Sequence, residues 1–561
     1  MSKIWNIKTL NPKLQIKLSD ALGIHPIISQ LLVNRSIDDI EEAANFLNPE
    51  LKSLHDPFLF KGMDKAVERI LQAAKNSERV LIFGDYDVDG VTSSYILNST
   101  LSRLGLDLIH HIPHRMNDGY GLNHEIAEIA FQQKVNLLIT IDCGITAYDE
   151  VESIRNKGID VIIIDHHEPS DSRLPNALAI IDPKQKDCPY PFKELASAGL
   201  ALKVSEALTK KTSEDLLGFA ALGTVADVVP LKGENRIIVK HGLKLIHKTK
   251  NKGLKALLKS SKIDKGPLTP FHIGFILGPR INAAGRMGTA HTSLDLFLCD
   301  DEEQAEHLTG ELESYNLERQ KMQNDTITEA MAIVEGQINF KEQKVIVLNK
   351  EGWHKGILGI VASRLTDKYY RPAIVISTHE GIGTASCRSI EGFHIQNALQ
   401  ECQDILENYG GHEGAAGLTI RQEKIDPFRE MINTIAHRVL EVKELTPSIT
   451  IESEIPLTSV DEQLAGTLES LQPFGEGNPQ PVFCSRRLTV KSYPQIMGRG
   501  TLKFWIEQDG KTISAVGFGM ERFAGLIRPG EQIDLAYEIA IDDWNKAPQA
   551  QLRLKDIKIS E

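Results

Sequence analysis

The sequence predicts an α/β protein: a parallel-sheet domain, a long connecting helix, a second α/β domain and a C-terminal OB-like β-barrel. Three observations support this fold class. Short apolar runs alternate with helical patterns between residues 80 and 230, which favours a parallel sheet with crossover helices. A charged stretch with a narrow apolar stripe, 302–335, is typical of one long helix. From residue 447 onward, short strand patterns alternate with turns, as in small barrels.

Composition describes a multidomain protein. The chain of 561 residues is too long for one ordinary domain and predicts three or four. It is 41% hydrophobic and 25% charged, as soluble globular proteins are. The N-terminus lacks the apolar core of a signal peptide, and no run is long enough to span a membrane. Its six cysteines show neither metal-ligand spacing nor a disulfide framework. We therefore expect a cytoplasmic protein with reduced thiols and no membrane partner.

Net charge is −13, but a local basic surface is enough for nucleic-acid binding, so this value excludes little. Nine lysines fall between residues 240 and 265, opposed there only by Asp264. Two interpretations stay open for this basic segment. It is either a solvated helical face or a flank that attracts phosphates.

Three carboxylates follow the first apolar run, 80–83, which we interpret as a buried strand. These are Asp85, Asp87 and Asp89. Like charges this close repel strongly unless a cation neutralises them. Hard divalent cations prefer oxygen ligands, so Mg²⁺ or Mn²⁺ would explain the pattern, and an Asp/Gly-rich turn without a ligand is the alternative.

Two further apolar runs, 137–141 and 161–164, end in Asp142 and in the triplet 165–167 (Asp-His-His). The carboxyl ends of parallel strands share one sheet edge, so Asp87, Asp89, Asp142 and His166 can converge there. A fourth apolar segment, 220–230, contains Asp227. A buried carboxylate must be paired or metal-bound, although a helix-capping Asp is the alternative. Together the four segments predict a metal site.

The same four segments resemble the DHH phosphoesterase superfamily and, within it, the RecJ family of bacterial single-strand-specific 5′→3′ DNA exonucleases. The strings are GDYDVDG, TIDCGIT, IIDHHEP and GTVADVVPL. Further similar strings are GPRINAAGR at 278–286 and WHKG at 353–356, and GGH at 410–412 resembles the signature of the DHH-associated domain. The resemblance covers about residues 50 to 485.

This resemblance implies an organisation and an activity. The expected parts are a helical extension at 1–50, a DHH metal-binding catalytic domain at 51–235, a basic helical region with the long connecting helix at 236–340, a DHH-associated substrate-binding domain at 341–446 and an OB-like domain at 447–561. The implied activity is the release of 5′ mononucleotides from single-stranded DNA in recombination and repair. The implied partners are single-stranded DNA, single-strand-binding protein and a RecQ-type helicase, with the chain acting as a monomer.

For the chemistry, two Mn²⁺ or Mg²⁺ ions are expected. Asp87, Asp89, Asp142, His166 and Asp227 are the expected ligands, with Asp142 bridging because it follows the central strand. In this superfamily the second histidine, here His167, tends to face the substrate, and the resemblance implies a catalytic role in which it either polarises the phosphate or protonates the leaving oxygen. Asp85 is either a ligand or a residue that orients one.

For the substrate, Arg115, Ser386 and Arg388 resemble the residues that hold the terminal 5′ phosphate, and arginine suits that role because its fork gives bidentate contacts. Arg280, Asn282 and Arg286 are expected to grip the strand near the scissile bond. Gly410, Gly411 and His412 belong to a glycine-rich loop whose amides can approach an anion. A surface ion pair is the alternative for any single arginine.

Two other functions remain in view. One is a different DHH enzyme, acting on oligoribonucleotides, cyclic dinucleotides or pyrophosphate, and the other is an inactive relative that serves as a replication scaffold. The appended barrel argues against the first. The complete set of candidate metal ligands argues against the second.

Overall fold

The computed structural model describes residues 3–115, 119, 121–170, 172–542 and 548–560. The chain divides into two compact units, Leu51–Leu445 and Met1–Glu50 with Thr446–Glu561. The two units agree with the predicted order of the domains, apart from the place of the N-terminal segment. The first fifty residues share a unit with the C-terminal region, which the sequence did not predict.

The N-terminal segment contains a strand and three helices: β1 (Ile4–Ile7), α1 (Pro12–Leu22), α2 (Pro26–Asn34) and α3 (Ile40–Leu47). Its side chains bond to the C-terminal part of the same unit. Arg35 Nε donates to Asn478 Oδ1 at 2.8 Å, and Arg35 also forms a buried ion pair with Glu452 at 3.7 Å.

The predicted metal domain is an α/β sheet with these elements: α4 (Met63–Lys75), β2 (Arg79–Gly84), α5 (Val88–Ser102), β3 (Asp107–His111), α6 (Glu125–Gln132), β4 (Leu137–Ile141), α7 (Tyr148–Asn156), β5 (Asp160–Ile164), β6 (Ala179–Ile181), α8 (Ser197–Thr209) and α9 (Glu214–Ala226). The strand order is β3-β2-β4-β5-β6, and all neighbours are parallel. The parallel sheet predicted from alternating apolar runs is confirmed. Because β2, β4 and β5 are adjacent, their carboxyl ends lie side by side.

Six helices follow: α10 (Gly233–Ile246), α11 (Lys252–Ser260), α12 (Pro270–His272), α13 (Gly278–Met287), α14 (His291–Leu298) and α15 (Glu302–Gln337). A π-helical turn, Ile273–Leu277, joins α12 to α13. The predicted long helix is confirmed as α15, whose 36 residues span about 54 Å at 1.5 Å per residue. The basic segment covers the end of α10, all of α11 and the turns that follow them, and seven of its nine lysines are exposed.

The second α/β region has a mixed sheet: β7 (Ile346–Glu351), α16 (Leu358–Tyr369), β8 (Ala373–His379), β9 (Ile382–Arg388), α17 (Ile395–Glu401), β10 (Asn408–Gly411), β11 (Ala415–Arg421) and α18 (Ile425–Val439). Its order is β10-β11-β9-β8-β7, with only β7 and β8 parallel. The glycine-rich loop expected at 410–417 is instead largely a hairpin. Gly410 and Gly411 lie in edge strand β10 and pair with Gly417 and Ala416 of β11.

The C-terminal region is a barrel with these elements: β12 (Ser448–Ile451), β13 (Ser453–Glu454), α19 (Glu462–Leu468), β14 (Phe483–Val490), β15 (Gln495–Met497), β16 (Thr501–Gln508), β17 (Lys511–Gly517), β18 (Gln532–Asp542) and β19 (Gln549–Ile559). The order is β13-β14-β18-β19-β17-β16-β15, and an extra pairing of β14 with β16 closes the barrel. The predicted OB-like barrel is confirmed. β12 also pairs in parallel with β1, which attaches the N-terminal segment to it.

All six cysteines are buried free thiols. In the part of the chain that the structure describes, helices that are both long and apolar enough to cross a membrane are absent.

Candidate metal centre and arginine pocket

Acidic and imidazole side chains from three adjacent strand ends meet at one edge of the parallel sheet. Asp85 and Asp87 follow β2, Asp142 follows β4, and His166 follows β5. Asp142 has a φ of 67°, a left-handed conformation that turns the chain sharply at the end of β4. Asp227 joins from the C-terminal end of α9. A carboxylate is unfavourable next to the negative end of a helix dipole, so its place here indicates a compensating cation.

The cluster contains three groups whose candidate ligand atoms lie within 4.8 Å of one another. They are Asp85 with Asp87 and Asp142, Asp89 with His166 and Asp227, and Asp142 with His166 and His167. Asp142 and His166 each occur in two groups. The five ligands expected from the sequence are therefore brought together, and Asp85 lies among them.

Two helix N-termini fix the acidic residues that follow β2. Asp87 caps α5, with its Oδ1 accepting from the amides of Asp89 at 2.8 Å and Gly90 at 3.1 Å. Asp89 Oδ2 accepts from Ser197 N at 2.7 Å and Oδ1 from Ala198 N at 2.9 Å, at the start of α8. A Cβ at Gly223 would lie 2.4 Å from Asp89 Oδ1, so only glycine fits there. Each Asp89 oxygen accepts one of these bonds and keeps a lone pair for a cation, whereas at Asp87 the second oxygen, Oδ2, is the one left for a cation.

Burial and mutual repulsion disturb the ionisation of the cluster. Burial, followed by the charge of Asp87, raises the pKa of Asp89 to about 7. Burial, followed by the charges of Asp89 and Asp87, raises the pKa of Asp227 to about 8. The pKa values of Asp85 and Asp142 are also raised well above the usual range, first by burial and then by neighbouring carboxylates. Without a cation this arrangement is electrostatically costly.

His166 supplies a neutral nitrogen to the same cluster. Burial, with the charge of His167, lowers the pKa of His166 to about 3, which leaves a lone pair on the ring. Its Nε2 lies 3.4 Å from Asp142 Oδ1 and 3.5 Å from Asp227 Oδ2. Among the described residues, His166 Nε2 and Asp85 Oδ1 are buried without a hydrogen-bond partner. Oxygen donors with one imidazole suit Mg²⁺ or Mn²⁺, so the residues present fit such ions.

Asp165 has a role that sequence reasoning did not assign. Its Oδ1 contacts His167 Nδ1 at 2.7 Å and accepts from His166 N, while Oδ2 accepts from Ile145 N. Burial alone would raise the pKa of Asp165, but the hydrogen bond and charge of His167 lower it below the usual range. Burial alone would lower the pKa of His167, but Asp165, Asp227 and Asp85 raise it to about 9. Asp165 therefore orients the His167 ring and favours its protonated form in the metal-free protein.

A second buried acid was also missed. Asp182 directly follows β6, as Asp142 and Asp165 follow their strands, and burial raises its pKa to about 7. The apolar run that ends in this residue was the signal that could have found it.

A pocket of about 470 Å³ gathers four of the predicted substrate residues: Arg115, Arg286, Ser386 and Arg388. The start of α16 also lines it, through Leu358, Gly359 and Ile360, together with Lys355. Sequence reasoning assigned no site role to Lys355 or Gly359. A Cβ at Gly359 would lie 3.0 Å from Arg388 Nη2 and 3.1 Å from Ser386 Oγ, so this glycine lets the helix end approach both side chains.

The pocket, here called the arginine pocket, is built for an anion. Burial, followed by the charge of Arg115, lowers the pKa of Arg286 to about 9. Burial also lowers the pKa of Arg388, and the charge of Arg115 adds to this effect. Buried cations that repel one another are stabilised by a shared anion, and a helix N-terminus adds amide donors. Arg286 Nη1 also donates to Gly356 O at 2.8 Å, which ties the two α/β regions together beside the pocket.

The remaining predicted residues lie elsewhere. Arg280 is held by Glu313 of α15 through Nε at 2.8 Å and does not line the arginine pocket, and Asn282 is half-buried on the same helix, α13. Gly410, Gly411 and His412 are exposed on the hairpin edge. Gly410 of β10 pairs with Gly417 of β11. Gly417 in turn pairs with Ser386 of β9. The hairpin thus continues the sheet from the strand that carries Ser386 and Arg388.

Comparison with known proteins gives three family matches along the chain. Residues 79–224 match the DHH family, N-terminal domain, residues 342–438 match the DHHA1 domain, and residues 451–556 match the RecJ OB domain. The chain is similar to the single-stranded-DNA-specific exonuclease RecJ of Bacillus subtilis, with 38% identity over 99% of this chain and 71% of the relative. The Haemophilus influenzae protein of the same name is 32% identical over 97% of this chain and 98% of the relative.

Solved structures agree with these matches. The structure of Thermus thermophilus RecJ in complex with Mn²⁺ superposes with a TM-score of 0.85 and 28% identity, covering 100% of this chain and 80% of that one. A second structure of the same protein, with Mg²⁺, gives a TM-score of 0.78 and 26% identity, over 100% of this chain and 79% of that one. By sequence, by its three domains and by its structure, the chain belongs to the RecJ family.

Proposed function

We propose that the chain is a single-stranded-DNA-specific 5′→3′ exonuclease that hydrolyses phosphodiester bonds and releases 5′ mononucleotides. The observation that carries this proposal is the presence, in one compact unit, of a cluster of acidic and imidazole side chains that fits divalent cations and a separate arginine pocket. The cluster would bind the phosphate of the bond that is cleaved, and the arginine pocket would bind the phosphate at the 5′ end of the strand. An endonuclease has no need of the second anion site.

Within the cluster, Asp85, Asp87 and Asp142 would hold one ion, and Asp89, His166 and Asp227 the other, with Asp142 placed to share both. When bound, two such ions activate water and neutralise charge on the phosphate and the leaving oxygen. The amides that bond to Asp87 and Asp89 hold these carboxylates in place before substrate binds. Such preorganisation lowers the cost of reaching the transition state.

His167 is proposed as the proton donor to the leaving oxygen. Asp165 engages Nδ1, so Nε2 is the atom from which the proton can pass to substrate. The side chain is 45% exposed and can reach a bound strand. In the metal-free protein the hydrogen bond and charge of Asp165 raise the pKa of His167 to about 9, so this pairing favours the protonated ring.

The arginine pocket is proposed as the anchor of the terminal 5′ phosphate. Arg388 Nη1 donates to the backbone oxygen of Cys387 at 2.7 Å and lies 3.4 Å from Ser386 Oγ. The Arg388 guanidinium and the Ser386 hydroxyl therefore line the same side of the pocket. The contact of Arg286 with Gly356 closes the region beside the pocket. A Cβ at Gly356 would lie 2.7 Å from Arg286 O, which leaves little room there. We therefore expect a single strand to fit past the Arg286–Gly356 contact into the arginine pocket, and a duplex to be too wide.

The experiment that tests this function uses Mn²⁺ and 5′-labelled single strands, blunt duplexes, duplexes with a 5′ overhang, and short RNA. We expect mononucleotides from the single strand, and digestion of the overhang that stalls near the duplex junction whatever the base composition. Blunt duplexes should resist. Products from RNA alone, or cleavage that proceeds through a GC-rich duplex, would contradict the proposal.

The barrel is proposed as a second contact for longer strands. Trp505 of β16 is 41% exposed and Tyr493 is 74% exposed, and Lys503 lies two residues before Trp505 on the same strand face. Aromatic side chains beside cations bind single strands by stacking and charge.

Trp505→Ala should therefore raise the Kd for a long single strand by about 5- to 150-fold, because one stacked base typically contributes ~1–3 kcal/mol. The initial rate on a strand of a few nucleotides should stay unchanged, since the cluster and pocket lie in the other unit. Fluorescence anisotropy with long and short strands measures this, with Ile559→Ala, an exposed change on β19, as the control. Equal losses on both strand lengths would argue against a role for the barrel.

We further propose that the chain works as a cytoplasmic monomer in recombination and repair, with single-strand-binding protein and a RecQ-type helicase as partners. Family membership is the support for these proposals.

A further inference from the structure

Two neighbouring phenylalanines in the unit Leu51–Leu445 are exposed to water. Phe271 is 59% and Phe275 is 72% exposed. Their rings stack with centroids 4.9 Å apart and planes at 23°. Adjacent exposed rings are costly in water and mark binding surfaces.

The backbone beneath these rings is fixed. Phe275 lies in the π-helical turn Ile273–Leu277, and both end residues of this turn are fully buried. Arg280 Nη1 donates to Ile276 O at 2.8 Å, while its Nε donates to Glu313 at 2.8 Å. Isolated π turns are frequent at functional sites. The rings are therefore presented on a rigid support.

The turn lies between the two parts of the proposed active site. Phe275 lines the arginine pocket with Arg115 and Arg388. Towards the metal cluster, a Cβ at Gly278 would lie 3.9 Å from the Cβ of Ala226, the residue before Asp227. A nucleotide whose 5′ phosphate occupies the pocket and whose 3′ oxygen reaches the cluster must pass beside this turn.

We propose that Phe275, supported by Phe271, stacks against the base of the 5′-terminal nucleotide. The proposal rests on the proposed exonuclease function. Every base has a flat π face, so such a contact holds any sequence. Two rings are far smaller than the ~800 Å² per partner that stable protein interfaces bury, which argues against a second copy of the chain or another protein.

The test compares 5′-phosphorylated single strands that carry an abasic analogue at the first or at the fifth nucleotide. KM and kcat for release of the first nucleotide are measured with Mn²⁺ for the wild type, Phe275→Leu, Phe275→Trp and the control Phe131→Leu, an exposed phenylalanine on α6. For the wild type, the first-position analogue should raise KM by about 5- to 150-fold, and the fifth-position analogue should not. Phe275→Leu should show the raised KM with the intact strand and no further rise with the analogue. Tryptophan should restore the wild-type pattern, and Phe131→Leu should leave it unchanged.

Three outcomes would overturn the stacking proposal. One is an unchanged KM for Phe275→Leu on the intact strand. Another is an equal abasic penalty in the variant and the wild type. The third is a dimer, detected by analytical ultracentrifugation, that Phe275→Leu dissociates. Failure of the wild type to release mononucleotides from any single strand would instead overturn the exonuclease function, so the two failures are distinguishable.

Discussion

Asp142→Asn should abolish hydrolysis, with kcat falling at least about a thousand-fold, or ~4 kcal/mol in barrier. The reason is that Asp142 contributes to two of the three candidate ligand groups, so one change weakens both ion sites. Asn tolerates the left-handed backbone at φ 67°, so the fold should persist. Metal counting by calorimetry should show at least one ion lost, and the loss of activity should exceed that of Asp85→Ala.

The same variant should be more stable than the wild type when metal is removed. In the folded state the pKa of Asp142 is raised above its unfolded value, so at any pH above the unfolded value this carboxyl destabilises the metal-free protein, and an amide removes this cost. Thermal unfolding in a chelator should therefore give a higher Tm for Asp142→Asn, while added Mn²⁺ should stabilise the wild type more. Asp509→Asn makes the same chemical change at an exposed position that also has a left-handed backbone, with φ 50°, in the turn between β16 and β17, and it should alter neither property. Two tightly bound ions with normal turnover in Asp142→Asn would refute the shared-ligand assignment.

Arg388→Ala should remove the preference for a 5′-phosphorylated strand. A charge-assisted hydrogen bond typically contributes ~1.5–3 kcal/mol, so kcat/KM on a phosphorylated strand should fall by about 10- to 150-fold. A 5′-hydroxyl strand lacks the terminal phosphate and should lose much less. Loss of a buried cation also relieves Arg286, whose pKa is depressed in part by Arg388.

The comparison uses matched strands with and without the 5′ phosphate, at saturating and limiting concentrations. Arg421→Ala is the control, because Arg421 lies on β11 of the same sheet but is exposed and paired with Glu407. Equal losses on the two strands would mean that Arg388 does not read the terminal phosphate.

Local patterns were sufficient for the elements and for most of the metal cluster. Apolar runs ending in Asp or His predicted β2, β4 and β5, and the parallel connections implied that their ends converge. The apolar stripe at 302–335 predicted α15, because helical period is a property of the segment itself; the cap at Asp301 is seen only in the structure. The alternation of short strand patterns with turns after residue 447 likewise predicted the barrel.

Contacts between distant residues lay beyond such patterns. Asp89 accepts hydrogen bonds from residues more than 100 positions away, and Arg286 bonds to Gly356, 70 positions away. Asp165 belongs to the Asp-His-His triplet of the predicted metal site, but in the structure its carboxylate hydrogen-bonds to the His167 ring. Arg280 looked like a strand contact, yet it pairs with Glu313 and supports the aromatic turn.

The sequence alone therefore determined which elements form and which chemistry gathers at the sheet edge, since helical and strand periods and strand-end residues are local properties. Only the tertiary structure decided that Gly359 brings a helix end to Arg388, that Phe275 is exposed between pocket and cluster, and that the first fifty residues share a unit with the barrel. The physical reason is that burial, charge and close approach at each position are set by side chains contributed from remote segments of the chain.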